Sequence, residues 1–227
     1  MLLNLLRSGD KLTAIIGVFS SVFVVFCTLP IHEYAHALVA TKLGDNTPRL
    51  QGRLTLNPLA HIDWLGALMI FFVGFGYAKP VGVNMRNFKH PKRDMMLTAI
   101  AGPLSNLIMA TIFMLLRYAF IAATMKGAAA TVITVCIYFF YYAAYINVGL
   151  AVFNILPIPP LDGSRVISFL LPNKYYFKFQ QYERYIIIAI FALIFFGILD
   201  KPLAFLSGLI MQGISFITSL PFYPILY

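Results

Sequence analysis

A chain of 227 residues with 60% hydrophobic and 11% charged side chains excludes a soluble domain and reads as an integral membrane protein with room for about five or six spans. The net charge of +9 would suit a nucleic-acid binder, but the basic residues fall in loops between apolar runs, where they set topology and meet anionic head groups. The expected partner is therefore the lipid bilayer and no nucleic acid.

In chain order, the first apolar run, Leu12 to Thr41, predicts one long helix that contains His32-Glu33-Tyr34-Ala35-His36. Histidines four apart lie on one helix face, one turn above each other, which suits two imidazoles binding one Zn²⁺. Glu33, next to the first, can reach a water at such a metal without being a ligand. Ionisable groups inside a span are costly unless they line a functional cavity, so the pattern means more here than in a soluble protein. The run leads directly into the histidines, so it is not expected to be a cleavable leader. Cys27 and Cys136 make no CxxC or Cys/His cluster and are expected to be buried thiols.

Beyond Lys42, Arg49-Leu-Gln-Gly-Arg-Leu-Thr-Leu56 alternates apolar and polar residues. It is a candidate strand edge, a small membrane-associated β element, with an ordinary interfacial hairpin as the equal alternative. His61 and Asp63 follow in a loop, where a turn or helix cap is their plain role. Trp64 to Tyr77 is apolar but short, punctuated by Gly66, Gly74 and Gly76. As a helix it would reach about 20 Å, less than the roughly 30 Å hydrocarbon core, and it is expected to be re-entrant.

Later spans are expected at Met95–Ala122, Thr131–Leu156, Tyr185–Leu199 and Leu203–Leu220. Positive charge fixes the sidedness. The clusters Lys42, Arg49, Arg53 and Lys79, Arg86, Lys89, Lys92, Arg93 both want the cytoplasm, which requires an even number of crossings between them. A re-entrant 64–77 satisfies this. The arrangement leaves Arg7, Lys11, Arg117, Lys126 and Lys201 outside and the rest of the 17 Lys and Arg inside.

A hydrolytic Zn²⁺ usually takes three protein ligands and keeps one position for water. Of the eight carboxylates, Asp162 stands out, because it ends Asn154-Ile-Leu-Pro-Ile-Pro-Pro-Leu-Asp162-Gly163. Pro157, Pro159 and Pro160 cannot continue a helix. Irregular backbone at membrane depth is tolerated only where it is packed in protein or lines a wet cavity. The charge pattern puts this segment on the side where the first helix ends. Asp162 is the expected third ligand, with Asp63 as its competitor.

These residues carry a family resemblance. HEYAH in the first span, Ala101-Gly-Pro-Leu-Ser-Asn106 in the next and NILPIPPLDG after the following one are similar to the site-2 proteases, intramembrane zinc metalloproteases. Gly52-Arg-Leu-Thr-Leu-Asn-Pro and Ala78-Lys-Pro-Val resemble the short bacterial and archaeal members, and no stretch resembles a PDZ or CBS module. The resemblance runs from about residue 12 to 170. It implies one Zn²⁺ held by His32, His36 and Asp162, with Glu33 as catalytic base. Asn154 would touch substrate or stabilise the oxyanion. Asn106 matches a motif position, for which a helix–helix hydrogen bond is an equal explanation. It also implies a transmembrane protein or peptide substrate, a prokaryotic cytoplasmic membrane location and a site open to the cytoplasm. The expected organisation is an all-α polytopic single membrane domain over 1–227, with a catalytic core at 12–170 and C-terminal helices at 183–220. A metal or proton transporter, or a zinc-binding scaffold without activity, are the rival classes. A transporter would not need Glu33 and would more often show repeated halves.

Overall fold

The first apolar run folds as α1 (Lys11–Phe23) and α2 (Leu29–Lys42), joined without a break by a π turn, Val24–Thr28. Pro30 accounts for the wide turn. It has no N–H and its ring crowds the carbonyl four residues back, so the helical ladder slips by one residue. The slipped bond runs from the Leu29 N–H to the Val24 carbonyl. The structure, a computed structural model, describes residues 11–66, 68, 79–125, 130–170, 172 and 181–226.

Two long helices form the rest of the centre: α3 (Pro91–Met125) and α4 (Ala130–Asn154). After a proline-rich strap come α5 (Asp162–Leu170), α6 (Glu183–Phe195) and α7 (Asp200–Ser219). Helix α3 starts ahead of its apolar run, because the Asp94 carboxylate accepts from the His90 N–H at 3.0 Å and caps the first turn. Among the described residues the chain is helical, with four helices long and apolar enough to cross a membrane: Lys11–Lys42, Pro91–Met125, Thr131–Asn154 and Asp200–Ile225. This is an all-α, multi-pass membrane protein.

Three expectations need correction. Cys27 is exposed and Cys136 only half-buried, so neither is a buried thiol. The run 185–199 is not a full span: α6 has 13 residues and reaches about 20 Å, short of the roughly 30 Å core. It stops in a turn that Gly197 closes at φ +67°, a left-handed conformation that glycine adopts without strain. Nor is 49–56 a strand. Pro48 and the Thr47 N–H, which donates to Asp45 Oδ1 at 3.0 Å, start a single helical turn, Thr47–Leu50. Gly52 then reverses the chain at φ +67°. The residues after it fold around buried His61, whose Nε2 meets the Thr55 carbonyl at 2.7 Å. The Arg53 guanidinium donates to the Ala60 carbonyl. Alternation over so few residues is a weak signal beside turn chemistry of this kind. The expected re-entrant piece, 64–77, lies mostly outside the described residues; its first residues, 64–66, are helical.

The core lies between α1, α3, α4 and α7. Val24, Ala110, Phe113, Met114, Ala143, Ala144 and Val148 form it, closed by Leu203 and Met211. Alanines at the crossings let the backbones approach, which is how helices associate where lipid offers no hydrophobic drive. Around them Phe23 packs edge-on to Phe113 and Phe139. The Tyr118 hydroxyl and Ser215 hydroxyl, 2.6 Å apart, tie α3 to α7. Phe19, Leu104, Ile108, Phe205, Leu209 and Phe216 point outward and are exposed, as lipid-facing residues are.

Candidate metal centre

Helix α2 presents His32 and His36 one turn apart, both buried, with buried Glu33 between them in sequence. The His36 Nδ1 lies 2.7 Å from the Thr98 carbonyl of α3. A carbonyl can only accept, so Nδ1 carries the ring proton and Nε2 is left with a free lone pair. That lone pair points at His32 Nε2, 3.1 Å away.

The strap brings the third group. After α4 ends at Asn154, the chain turns through Pro157, Pro159 and Pro160, and α5 opens with Asp162. A Cβ on Gly163 would overlap the carbonyls of Ile155 and Leu156, so only glycine lets the first turn of α5 fold back onto the end of α4. Asp162 Oδ2 then sits 3.3 Å from His32 Nε2 and 3.2 Å from His36 Nε2.

Three electron-rich atoms therefore form a nearly equilateral triangle with sides of 3.1, 3.2 and 3.3 Å. Tetrahedral Zn²⁺ with bonds of about 2.0–2.1 Å separates its ligand atoms by about 3.3–3.4 Å, so the triangle fits that ion. Asp162 Oδ2 is buried with no hydrogen-bond partner, as a metal-facing carboxylate oxygen would be. Gly102 of α3 completes the fit: a Cβ there would overlap the His36 ring and stand 2.6 Å from His32 Cε1. Among the described residues this is the one group of three His, Cys, Asp or Glu side chains arranged to hold a metal.

The other expected residues fall elsewhere. Asp63 is occupied as a cap, accepting from the N–H groups of Leu65 and Gly66 at 3.0 Å each, and His61 is buried in its own loop. Both take the plain role. Asn154 is half-buried at the end of α4, with its amide donating to the Leu150 carbonyl at 3.0 Å. That uses one of its two amide N–H groups and leaves the second, with the oxygen, for other contacts. Two contributors had no usable sign in the sequence. One is the Thr98 carbonyl, a backbone group. The other is Gly102, which reads as an ordinary small packing residue and is one, except that it packs against both imidazoles.

The sequence pattern of peptidase family M50 matches residues 20–197. The chain is 44% identical over 166 residues to YwhC of Bacillus subtilis, named as a candidate zinc metalloprotease; the match covers 72% of this chain and 74% of that one. It is 33% identical over 159 residues to Rip2 of Mycolicibacterium smegmatis, named likewise, covering 65% of this chain and 56% of the relative. An archaeal relative of the same description, MJ0611 of Methanocaldococcus jannaschii, is 29% identical over 139 residues, covering 60% of this chain and 63% of its own. No solved structure matches the chain.

Proposed function

The chain belongs to peptidase family M50, and on that footing we propose that His32, His36 and Asp162 hold one Zn²⁺ per chain while Glu33 serves as the base that hydrolyses transmembrane segments of other proteins. An intramembrane zinc metalloprotease is what family and fold together make it. The observation that carries the assignment of residues is the triangle of two Nε2 atoms and one carboxylate oxygen beside buried Glu33.

When bound, Zn²⁺ supplies Lewis acidity, lowering the pKa of water and polarising the peptide carbonyl. Glu33 takes a proton from the attacking water as its oxygen bonds to the carbonyl carbon. The C–N bond then breaks, and Glu33 returns the proton to the leaving amine. Thr98 holds the His36 ring in the orientation and tautomer that present Nε2. Asn154 would stabilise the oxyanion with the amide N–H that it does not give to the Leu150 carbonyl. A helical substrate hides its carbonyls in its own hydrogen bonds, so it must unwind locally before it is cut. Regulated intramembrane proteolysis, the family's usual role, is the proposed setting.

Metal removal tests this reading. Purified full chain in lipid nanodiscs is expected to cut a helix-destabilised single-span peptide, to stop when a chelator strips the metal, and to resume on adding Zn²⁺. Cleavage indifferent to the chelator would contradict it.

The proposed sidedness opens the site to the cytoplasm. His32 lies ten residues before Lys42, roughly 15 Å along the helix from its end, so water enters from that side. Single cysteines replacing Arg49 and Lys89, in a chain lacking Cys27 and Cys136, are expected to be labelled only from the cytoplasmic face. Labelling from opposite faces would contradict this arrangement.

A further inference from the structure

Four buried polar atoms, one on His32 and three on the two central helices, have no hydrogen-bond partner: His32 Nδ1, both amide atoms of Asn106 and the amide oxygen of Asn147. His32, Asn106 and Asn147 are all buried, the last two completely. Leaving such atoms unpaired in an interior is costly, and more so where lipid surrounds the protein. Asn147 Nδ2 donates one N–H to the Ala143 carbonyl at 2.8 Å, and its oxygen is the atom with no partner.

The helix register places the three side chains together. His36 meets the Thr98 carbonyl and both imidazoles meet Gly102, so α2 and α3 run antiparallel with Asn106 one turn beyond the His32 level. Side chains on a helix lean toward its N-terminus. His32 therefore leans toward the level of Asn106, and Asn106 leans back toward the level of Gly102 and His32. On the other side, Phe113 of α3 stacks on Phe140 of α4 with ring centroids 6.2 Å apart. Seven residues is two turns and returns to the same helix face. Seven residues back from Phe113 is Asn106, and seven residues on from Phe140 is Asn147. The two asparagines thus face each other across the α3–α4 contact.

We propose that His32 Nδ1, Asn106 and Asn147 enclose a buried water site behind the metal, and that Asn106 is the positioning residue for His32. With its Nε2 committed to the triangle, His32 carries its proton on Nδ1 and needs an acceptor there. His36 has the Thr98 carbonyl in that role; for His32 the acceptor is water held by the Asn106 and Asn147 amides. The unpaired set consists of two donors, His32 Nδ1–H and Asn106 Nδ2, and two acceptors, Asn106 Oδ1 and Asn147 Oδ1, which is the complement of water. The same site joins α3, which carries Thr98 and Gly102, to α4, which leads into Asp162. It rests on the metal assignment above.

The test uses the full chain in nanodiscs, zinc affinity by competition with a chelator, and ¹⁵N-histidine NMR of the zinc-loaded protein. In wild type, His32 Nδ1–H is expected to exchange magnetisation with water, and Asn106→Leu should abolish that signal. Asn106→Leu keeps the branched outline of the side chain and removes the amide, and it should weaken zinc binding by about ten- to a hundredfold. Asn147→Leu should weaken it by less, and the double variant should be no worse than Asn106→Leu. A merely structural pair would shift thermal stability and leave zinc affinity alone. Unchanged zinc affinity in Asn106→Leu overturns the proposal. So does a wild-type His32 Nδ1–H with no water signal, a result that needs no variant to fold. If His36→Ala also binds zinc normally, it is the metal assignment that has failed.

Discussion

Glu33→Gln is expected to retain one zinc per chain and to lose peptide hydrolysis by about 10²- to 10⁴-fold, the range a positioned acid–base group contributes. Glutamine has nearly the shape of glutamate, so buried position 33 should repack without disturbing His32 or His36. What changes is chemistry: an amide cannot accept a proton from water near neutral pH, nor return one to the leaving amine. Zinc content measured beside turnover separates the two roles. A Glu33→Gln chain that still cuts a single-span peptide near the wild-type rate would remove Glu33 from the mechanism. Loss of zinc in the same variant would make it a structural residue instead.

Zinc itself should depend on the three triangle residues. His36→Ala and Asp162→Ala are each expected to weaken zinc binding by more than the about ten- to hundredfold that changing a residue behind a ligand costs. His36→Ala also frees the Thr98 carbonyl, which His36 Nδ1 holds at 2.7 Å. Asp162→Ala removes the charge that faces both imidazoles, at 3.2 and 3.3 Å. Asp63→Ala should leave zinc untouched, because Asp63 is engaged in capping the turn at Leu65 and Gly66. Zinc kept by Asp162→Ala and lost by Asp63→Ala would move the third ligand to Asp63.

Much of this arrangement is legible in the sequence because it follows from local rules. Four-residue spacing puts His32 and His36 on one face wherever a helix forms, and the prolines before Asp162 force the chain out of helix at the end of α4. Apolar runs mark the long helices for the same reason. What is hidden depends on tertiary contact. The Thr98 carbonyl becomes a partner of His36 only because α3 lies antiparallel to α2. The π turn at Val24–Thr28 follows from Pro30, yet a proline inside an apolar run signals a kink and not which bond slips. The segment 49–56 misleads because its alternation suits a strand, while Pro48, the Asp45 cap and Gly52 set a helical turn and a reversal. The shortness of α6 is likewise invisible to hydropathy, since the apolar run continues past Gly197 while the helix does not.

The composition of the metal centre is read most directly by X-ray absorption at the zinc edge on full chain in nanodiscs. The expected spectrum shows one zinc per chain bound only by nitrogen and oxygen at about 2.0–2.1 Å, with the scattering of two imidazoles. That pattern should be lost in His36→Ala. A sulfur neighbour at about 2.3 Å, which only Cys27, Cys136 or a methionine could supply, or a chain that takes up no zinc with His32, His36 and Asp162 intact, would contradict it.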